Sequence, residues 1–418
     1  MATIFCGIDW AERHHDVALV DTDGKLVAKR RIPDSADGFA ELMRMLADAG
    51  DSREDPISVA IETPRGLLVA ALRETGRAIY SINPMAVARY RERHTVSRKK
   101  SDHADAMVLA NILRTDAHVH RPLPADSELA RAVTVLARAA QDAVWRRTKA
   151  LQELRSLLRE YYPGFLATFH RSGVTILASR EARQILALAP TPAAGAKLSA
   201  AHIATALRRS GRQRGIDALA NKIHHALRVP QLRQLPLVEN AMGRQALALL
   251  ATLNAECDNA EQLGQAAVEA FTQHPDHTVI TSFPGMGGLS GARLLAEIGD
   301  DRDRFTDARA MKAYAGSAPV TRASGRSIAI TRRTVKNDRL NTVGFLWAFA
   351  AIPRPGPSKD HYDRRRARGD RHAAPPYATC STACSANSTT ACKPAKPTTP
   401  SRPSADHPHP SAPQPLDS

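Results

Sequence analysis

Aromatic residues are scarce in this sequence, since Phe, Tyr and Trp make up 5% of its 418 residues. Proteins that bind nucleic acids by stacking bases on exposed rings need more of them, so this binding mode is disfavoured. Long apolar runs are also missing: no stretch approaches the roughly 18 uninterrupted apolar residues of a membrane span. The N-terminal residues lack the charged lead and apolar segment of a secretory signal. We therefore expect a cytoplasmic protein without a membrane partner.

Cysteine is rare as well, with five residues in the whole chain. Cys6 and Cys257 stand alone, which is typical of buried thiols in a reducing compartment. Cys380, Cys384 and Cys392 lie near the C-terminus without the paired spacing of a zinc site, and we predict no metal there.

Acidic residues are too few to balance the basic ones. The chain has 58 Lys and Arg against 42 Asp and Glu, a net charge of +16 and a pI of about 10.0. An excess of this size makes a polyanion the first partner to consider. With so few aromatic rings, contacts to phosphate groups are the expected mode of binding.

The hydrophobic pattern divides the chain into four parts. Residues 1–118 are predicted to form an α/β domain, with three meandering strands around an Asp23-Gly24 turn and then helix–strand–helix–strand–helix. Residues 119–275 show an almost wholly helical, coiled-coil-like pattern, which favours a spacer or an oligomerisation region. Residues 276–370 combine helices, a Gly-rich turn and a basic loop or hairpin.

The last part, residues 371–418, is predicted to be a disordered tail. Residues 373–418 hold ten of the 27 prolines and three of the five cysteines. Codons that straddle residues 376–392 in a neighbouring frame would give apolar residues at helical spacing if the serines are TCN. We therefore hypothesise a frameshift that replaced a closing core helix, and such a degenerate copy could have lost its activity.

Two acids stand out on the stretch "SRKKSDHADAMVLANIL", residues 97–113. Asp102 and Asp105 are three residues apart, so a helix places them on one face. Two carboxylates ~4 Å apart repel each other by about 4 kcal/mol at an effective dielectric constant near 20. An exposed helix face in water and salt would relieve this repulsion, and so would a bound cation.

Two further acids end buried strands. Asp9 follows the apolar part of the first strand and Glu62 ends "SVAIE". Because the first strand and the next parallel strand are commonly neighbours, both acids are expected to meet the helix that carries Asp102 and Asp105. Four carboxylates suit Mg²⁺ or Mn²⁺, and paired ions stabilise phosphodiester displacement. The nearby Asp16, like Asp21, is expected to face solvent.

The stretches "GIDWAERHHDVALVD", "AIETPRG" and "SRKKSDHADAMVLANIL" resemble the DEDD domain of bacterial insertion-sequence transposases of the one-ten family, which is related to Piv-type DNA invertases. "SFPGMGGLSGARLLAEIGD", "RFTDARAMKAYAGSAPVTRASG" and "RRTVKNDRL" resemble the C-terminal transposase domain of that family. Together they cover about residues 3–370. The resemblance implies a ribonuclease H-like, Holliday-junction-resolvase-like fold and a nucleoid-associated DNA recombinase with Asp9, Glu62, Asp102 and Asp105 as catalytic metal ligands.

The resemblance also implies a serine nucleophile, which falls on Ser324 in "TRASGRS". This serine would attack a DNA phosphodiester and form a covalent protein–DNA intermediate. Judged from the residues alone, a serine between Arg322 and Arg326 could equally be a hydroxyl that contacts phosphate. Ser317 and Ser327 are nearby alternatives.

Basic residues and glycines mark the expected nucleic-acid contacts. The turn "PGMGGLSGARLL" resembles a helix-hairpin-helix whose backbone N–H groups approach a phosphate, although a tight turn without a ligand would use the same glycines. A nucleic-acid-binding face explains the positive net charge better than basic residues that are merely solvated at the surface. The residues assigned to it are Arg98, Lys99, Lys100, Arg322, Arg326, Arg332, Arg333, Lys336 and Arg339.

The resemblance further implies an element-encoded bridge RNA that pairs with donor and target DNA, although the sequence holds no RNA-specific motif. The long helices suit a dimer or tetramer. Three alternatives stay open: a Holliday-junction-resolvase-type nuclease that uses metal-activated water, an inactive nucleic-acid-binding copy, and an actin-like sugar kinase. The kinase would need a Gly-Thr pair directly after the first acid, and "DWAERHH" has none.

Overall fold

The structure is a computed structural model that describes residues 3–94, 102–171, 174–325 and 327–367, with the backbone alone at 94, 102, 103, 171 and 174. The chain separates into two compact units that divide between Ala125 and Asp126. Within the described ranges, none of the helices combines the length and apolar character that crossing a bilayer requires.

The first unit is built on a five-stranded mixed sheet with the order β3-β2-β1-β4-β5. The first three strands are antiparallel, while β4 and β5 run parallel to β1. Their bounds are β1 (Phe5–Trp10), β2 (His14–Val20), β3 (Leu26–Pro33), β4 (Val59–Ile61) and β5 (Ile79–Ser81). The hairpin predicted at Asp23-Gly24 is confirmed, and Gly24 has the positive φ (80°) that such a turn favours.

Four helices cover both faces of this sheet: α1 (Ala36–Asp48), α2 (Leu67–Glu74), α3 (Pro84–His94) and α4 (Asp102–Asp116), the last followed by a 3₁₀ turn (Ala117–Val119). Cys6 and Ile8 lie in a core with residues of α1 and α2, such as Leu42 and Leu72. Ala60, on the opposite face, packs in a second core with Leu109 and other residues of α3 and α4. The predicted order of strands and helices is found, except that α3, between β5 and α4, was not predicted.

The second unit is mostly helical. Its helices are α5 (Glu128–Tyr161), α6 (Pro163–Thr168), α7 (Arg180–Leu188), α8 (Pro192–Lys197), α9 (Ala200–Arg209), α10 (Ile216–Ala226), α11 (Pro236–Thr272), α12 (His277–Thr281), α13 (Gly288–Ile298), α14 (Ala308–Ala315), α15 (Asp338–Ala351) and α16 (Pro357–Ala367). Two hairpins interrupt them, β6 (His170–Arg171) with β7 (Val174–Thr175) and β8 (Val320–Ser324) with β9 (Ser327–Thr331). The small β6–β7 hairpin was not predicted.

Two long helices connect the parts of this unit. The single long helix predicted after residue 127 is confirmed: α5 has 34 residues and spans about 50 Å. Ser127 caps the N-terminus of α5, because its hydroxyl accepts a hydrogen bond from the backbone N–H of Ala130. The 37-residue α11 packs along it, and Arg146 of α5 donates to Glu256 of α11 at 2.7 Å.

Each long helix contributes to two separate cores. Leu154 and Leu250 belong to a core with the short helices α6, α7, α9 and α10. Val133 and Phe271 belong to a second core with α13, α14 and α15, in which Trp347 is fully buried. The domain boundaries drawn from the sequence stay predictions, and the tail 371–418 lies outside the described residues.

Candidate catalytic site and nucleic-acid face

Asp9 and Glu62 lie at the same end of two neighbouring parallel strands. The register pairs Gly7 with Ala60 and Ile8 with Ile61, so one further step places Asp9 beside Glu62. Neighbouring strands are about 4.8 Å apart, and residues in the same register position share a face. Both acids are half-buried. The neighbouring strands expected for these two acids are therefore found.

The face that carries both acids is covered by α4. A Cβ added to Gly7 would lie 2.0 Å from the carbonyl oxygen of Ala106 and 2.4 Å from the backbone nitrogen of Ala110, so helix and strand touch through their backbones. Asp9 is two residues after Gly7 and therefore projects to the same face. Glycine at position 7 is what lets the helix approach the acids.

The direction of α4 decides which of its ends lies near Asp9. Close to its C-terminal end, Arg114 donates to the carbonyl oxygen of Thr22 at 3.3 Å, in the turn beside the start of β1. Ala106 lies over Gly7 in the middle of that strand. The N-terminal turn of α4, with Asp102 and Asp105, therefore extends toward the end of β1 that carries Asp9.

We expect Gly7→Ala to lower the free energy of unfolding by about 2–3 kcal/mol, because backbone atoms of α4 cannot rotate away from the new methyl group. Denaturant titration of the full-length protein measures this. Gly264→Ala is the matched control: a methyl at that position of α11 would meet only ordinary contacts, at 3.8–3.9 Å from Leu289. A helical Gly→Ala change there should leave stability unchanged or raise it by up to about 1 kcal/mol. Equal stability for Gly7→Ala and wild type would contradict the close packing.

Asp105 is buried, with 5% of its surface exposed, and forms an ion pair with Arg91 of α3. The backbone of Asp102 lies on the same helix, while its side chain is outside the description. Among the side chains that are described, no three His, Cys, Asp or Glu residues are grouped so as to hold a metal ion. The metal-binding role of the four acids stays a prediction.

Asp16 corrects one expectation from the sequence. It lies directly opposite Asp9 on β2 and is 2% exposed, so the prediction that it faces solvent was wrong. Arg31 of β3 binds both of its carboxylate oxygens, at 3.1 and 2.8 Å. Strand alternation puts the side chains of Asp16 and Val17 on opposite faces of the sheet. It does not reveal that the face that carries Asp16 is covered too. Asp21 is half-buried and accepts two backbone N–H groups of its turn.

Ser324 ends strand β8 at the tip of an exposed hairpin in the second unit. Its cross-strand partner is Ser327, and Gly325 in the connection has a φ of 54°. Both serines are exposed, as is Arg322. Of the two possibilities, basic loop or hairpin, the structure has the hairpin. The alternative Ser317 is half-buried and donates to the carbonyl oxygen of Lys312 at 3.3 Å.

The basic residues after this hairpin differ in what they contact. Arg332 is exposed, whereas the half-buried Arg333 donates to a backbone carbonyl. Lys336 forms an ion pair with Asp338 at 2.7 Å. Arg339 forms an ion pair with Asp142 at 2.6 Å and stacks over the ring of Trp145. Their role in nucleic-acid binding stays a prediction, and Arg98, Lys99, Lys100 and Arg326 lie outside the described residues.

The Gly-rich turn between α12 and α13 packs closely against α15. Gly285 has a φ of 82°, and a Cβ there would be 2.7 Å from the backbone nitrogen of Ala351. Trp347 donates its indole N–H to the carbonyl oxygen of Pro284 at 3.0 Å. These contacts support the alternative that the glycines serve a tight turn, while Gly287 starts α13 without a side-chain cap.

Comparison with known proteins gives the class of this protein. Residues 6–163 match a family model described as "Transposase", and residues 277–363 match one described as "Transposase IS116/IS110/IS902 family". A Streptomyces coelicolor protein named "Mini-circle putative transposase for IS117" is 59% identical over 372 residues, which cover 89% of this chain and 90% of the relative.

Two more distant relatives match a similar share of the chain. The 43.6 kDa protein of insertion element IS110 from S. coelicolor is 27% identical over 391 residues, 88% of this chain and 89% of the relative. The 42 kDa protein of insertion element IS900 from Mycobacterium paratuberculosis is 26% identical over 379 residues, 88% and 90% of the two chains. The chain belongs to the IS110 family of insertion-sequence transposases. It is a DNA-cutting enzyme, and DNA is its partner.

Proposed function

We propose that this transposase cuts and rejoins DNA strands with two elements: a metal site formed by Asp9, Glu62, Asp102 and Asp105, and a nucleophile, Ser324. The observation that carries the proposal is the adjacency of Asp9 and Glu62 on the face covered by α4. The mixed sheet with helices on both faces also agrees with a ribonuclease H-like, Holliday-junction-resolvase-like domain.

The donor atoms suit a hard divalent cation. Asp9 and Glu62 offer carboxylate oxygens from adjacent strands, and such oxygens are what Mg²⁺ or Mn²⁺ prefers. Asp105 forms an ion pair with Arg91, which positions its carboxylate at low exposure. A bound ion would stabilise the charge on the attacking and leaving oxygens of a phosphodiester.

The position of Ser324 suits a nucleophile. Its hydroxyl is exposed at a hairpin tip, where a DNA backbone can reach it. Arg322 is two residues earlier on the same strand and therefore projects to the same face, where its charge would hold the phosphate. Attack forms an oxygen–phosphorus bond to the serine and breaks the bond from phosphorus to a deoxyribose oxygen. The serine loses its proton and the leaving oxygen gains one, so bond energy is kept for rejoining.

In this proposal, an element-encoded guide RNA selects the DNA sequences on which the enzyme acts. A protein rich in Lys and Arg with 5% aromatic residues suits phosphate contacts, and base pairing would then select donor and target DNA. Strand exchange joins several DNA ends, which favours a dimer or tetramer. The long helices α5 and α11 are the elements proposed for subunit pairing.

The test is a cleavage assay with the DNA ends of the element and its RNA, in Mg²⁺ or in EDTA. We expect strand cleavage and a covalent protein–DNA adduct in Mg²⁺, and a loss of cleavage of at least about 10²-fold in EDTA that added Mg²⁺ restores. Cleavage that is unchanged in EDTA would contradict the metal site.

A Holliday-junction-resolvase-type nuclease is the second candidate. It is favoured by the placement of all four acids in the first unit, while Ser324 lies in the second. Such an enzyme would cleave by metal-activated water and form no covalent adduct. A protein that binds DNA but does not cleave it under any of these conditions would be an inactive copy.

A further inference from the structure

The hairpin that carries Ser324 is almost wholly exposed. Among the residues of β8 and β9, Val320 is half-buried and the others are exposed. Burial of the strands against other elements therefore does not determine where Ser324 lies. Its position depends on the two ends of the hairpin, where the chain leaves α14 and where it enters α15.

Hydrogen bonds close the base of this hairpin. Just before β8, Ala318 donates its backbone N–H to the carbonyl oxygen of Lys312 in α14 at 3.2 Å. After β9, the Nε of Arg333 donates to the carbonyl oxygen of Ala318 at 3.3 Å. The backbone N–H of Asn337 donates to the carbonyl oxygen of Tyr314 at 2.8 Å. The segments on either side of the hairpin are thus joined to each other and to α14.

The side chain of Asn337 extends this base to neighbouring helices. Its amide nitrogen donates to a carboxylate oxygen of Glu297 on α13 at 2.7 Å and to the phenol oxygen of Tyr314 on α14 at 2.8 Å. Its amide oxygen accepts the backbone N–H of Leu340 at 2.9 Å and so caps α15. One half-buried side chain therefore joins α13, α14 and α15 where the hairpin ends.

Glu297 is the buried member of this group of contacts, with 2% of its surface exposed. Arg138 of α5 donates to both of its carboxylate oxygens, at 2.8 and 2.9 Å. Hydrogen bonds between charged groups of this kind are stronger than those between neutral groups. The anchor to which Asn337 binds is therefore itself held by a fourth helix.

Asparagine is well suited to this position. Its short planar side chain offers two N–H donors and one acceptor. Aspartate has the same shape but would place a second carboxylate against that of Glu297, which can only accept hydrogen bonds. Serine can cap α15, but its hydroxyl has a single proton to donate. The contacts therefore depend on the amide group and not on helix capping alone.

We propose that Asn337 is a positioning residue for DNA strand cleavage. It fixes the base of the β8–β9 hairpin and thereby the place at which Ser324 meets the phosphodiester. This inference rests on the proposed role of Ser324 as the nucleophile. Asn337 acts through the hairpin and not by contact with the reacting atoms. Its importance follows from the steep dependence of rate on geometry, since a misplacement of about 1 Å can cost about 10²-fold.

The first measurement is backbone hydrogen exchange of the full-length protein, followed by mass spectrometry, for wild type, Asn337→Ser and Asn337→Asp. Both replacements can still accept the N–H of Leu340, so α15 keeps its cap. Neither can donate to Glu297 and Tyr314 together. We expect the amides of β8 and β9 to exchange at least about 10-fold faster, while those of α11 keep their wild-type rates. Wild-type exchange of the hairpin in both variants would overturn the proposal, whatever the cleavage mechanism.

The second measurement is single-turnover cleavage of the DNA ends with RNA and Mg²⁺, which separates the rate constant from the fraction of protein that reacts. For both Asn337 variants we expect the rate constant to fall by about 10²-fold. The end point of cleavage and the affinity for DNA should stay at their wild-type values. A protein that is merely less stable would lose end-point cleavage at an unchanged rate constant, and that result would overturn the positioning role.

Ser179→Ala is the matched control for lost stability. Ser179 caps α7 in the same unit, where its hydroxyl accepts the backbone N–H of Ala182 at 3.2 Å. The variant loses a helix cap that the Asn337 variants keep, so its thermal midpoint should fall. Its hairpin exchange and its cleavage rate constant should equal those of wild type. A slower rate constant in Ser179→Ala would show that any loss of stability slows cleavage, which would overturn the specific role of Asn337.

Ser324→Ala, measured in the same assay, separates this inference from the proposed function. If Ser324→Ala is inactive and both Asn337 variants cleave at the wild-type rate, the positioning role alone is wrong. If Ser324→Ala cleaves at the wild-type rate, the proposed nucleophile is wrong, and the positioning role fails with it.

Discussion

Ser324→Ala should abolish the covalent protein–DNA adduct and lower strand cleavage and transfer by at least about 10³-fold, because loss of a nucleophile removes the reaction path itself. The hydroxyl is exposed at a hairpin tip, so its removal leaves no cavity and the folded protein should be as stable as wild type. Denaturing gel electrophoresis of labelled DNA measures adduct and cleaved strands together.

Ser327→Ala is the matched control for this experiment. Ser327 lies directly opposite Ser324 in the same hairpin and is also exposed, so its substitution changes the same surface by the same atom. We expect adduct formation to be retained. A Ser324→Ala protein that still cleaves would contradict the nucleophile and support the resolvase-type nuclease. An adduct lost in Ser327→Ala and kept in Ser324→Ala would move the nucleophile across the hairpin.

Asp9→Asn should lower metal-dependent cleavage by about 10²–10³-fold, because it removes one negative charge from the proposed ligands of a divalent ion. DNA binding measured without metal should stay the same or become tighter, since a carboxylate repels phosphate at this edge. The opposite signs of the two effects separate a metal ligand from a residue that merely supports the fold. Single-turnover cleavage over a range of Mg²⁺ concentrations is the measurement.

Asp23→Asn serves as the control in the same unit. Asp23 is exposed in the β2–β3 turn, far along the hairpin from the strand end that carries Asp9. Its substitution should leave cleavage and the dependence on Mg²⁺ unchanged. If Asp9→Asn cleaves at the wild-type rate at every Mg²⁺ concentration, Asp9 is not a ligand and the proposed four-acid site is wrong.

Much of the local structure could be predicted because it depends on short-range patterns. The apolar spacing of the segment after Ser127 predicted one long helix, and α5 is that helix. The Asp-Gly turn predicted the β2–β3 hairpin, and the rule that sequential parallel strands are neighbours placed Asp9 beside Glu62. The metal-binding role of the four acids was inferred from their pattern and from the family resemblance, and the nucleophile role of Ser324 came from the resemblance. Both stay predictions.

The burial of charged groups could not be predicted in the same way. Asp16 has the sequence context of an exposed strand residue, yet α4 packs on its face and Arg31 pairs with it. Arg339 has the context of a basic stripe, yet its partner Asp142 is 197 residues away in the sequence. Patterns among neighbouring residues cannot reveal a partner that lies so far away along the chain.

The sequence by itself determined most of the strands and helices and the excess of positive charge. The 2-residue period of strands and the 3.6-residue period of helices are set by neighbouring residues, and the net charge is a sum over the composition. Only the tertiary structure decided which charges are neutralised within the protein and which remain available. Ion pairs depend on the distance between side chains from remote segments, and packing alone sets that distance.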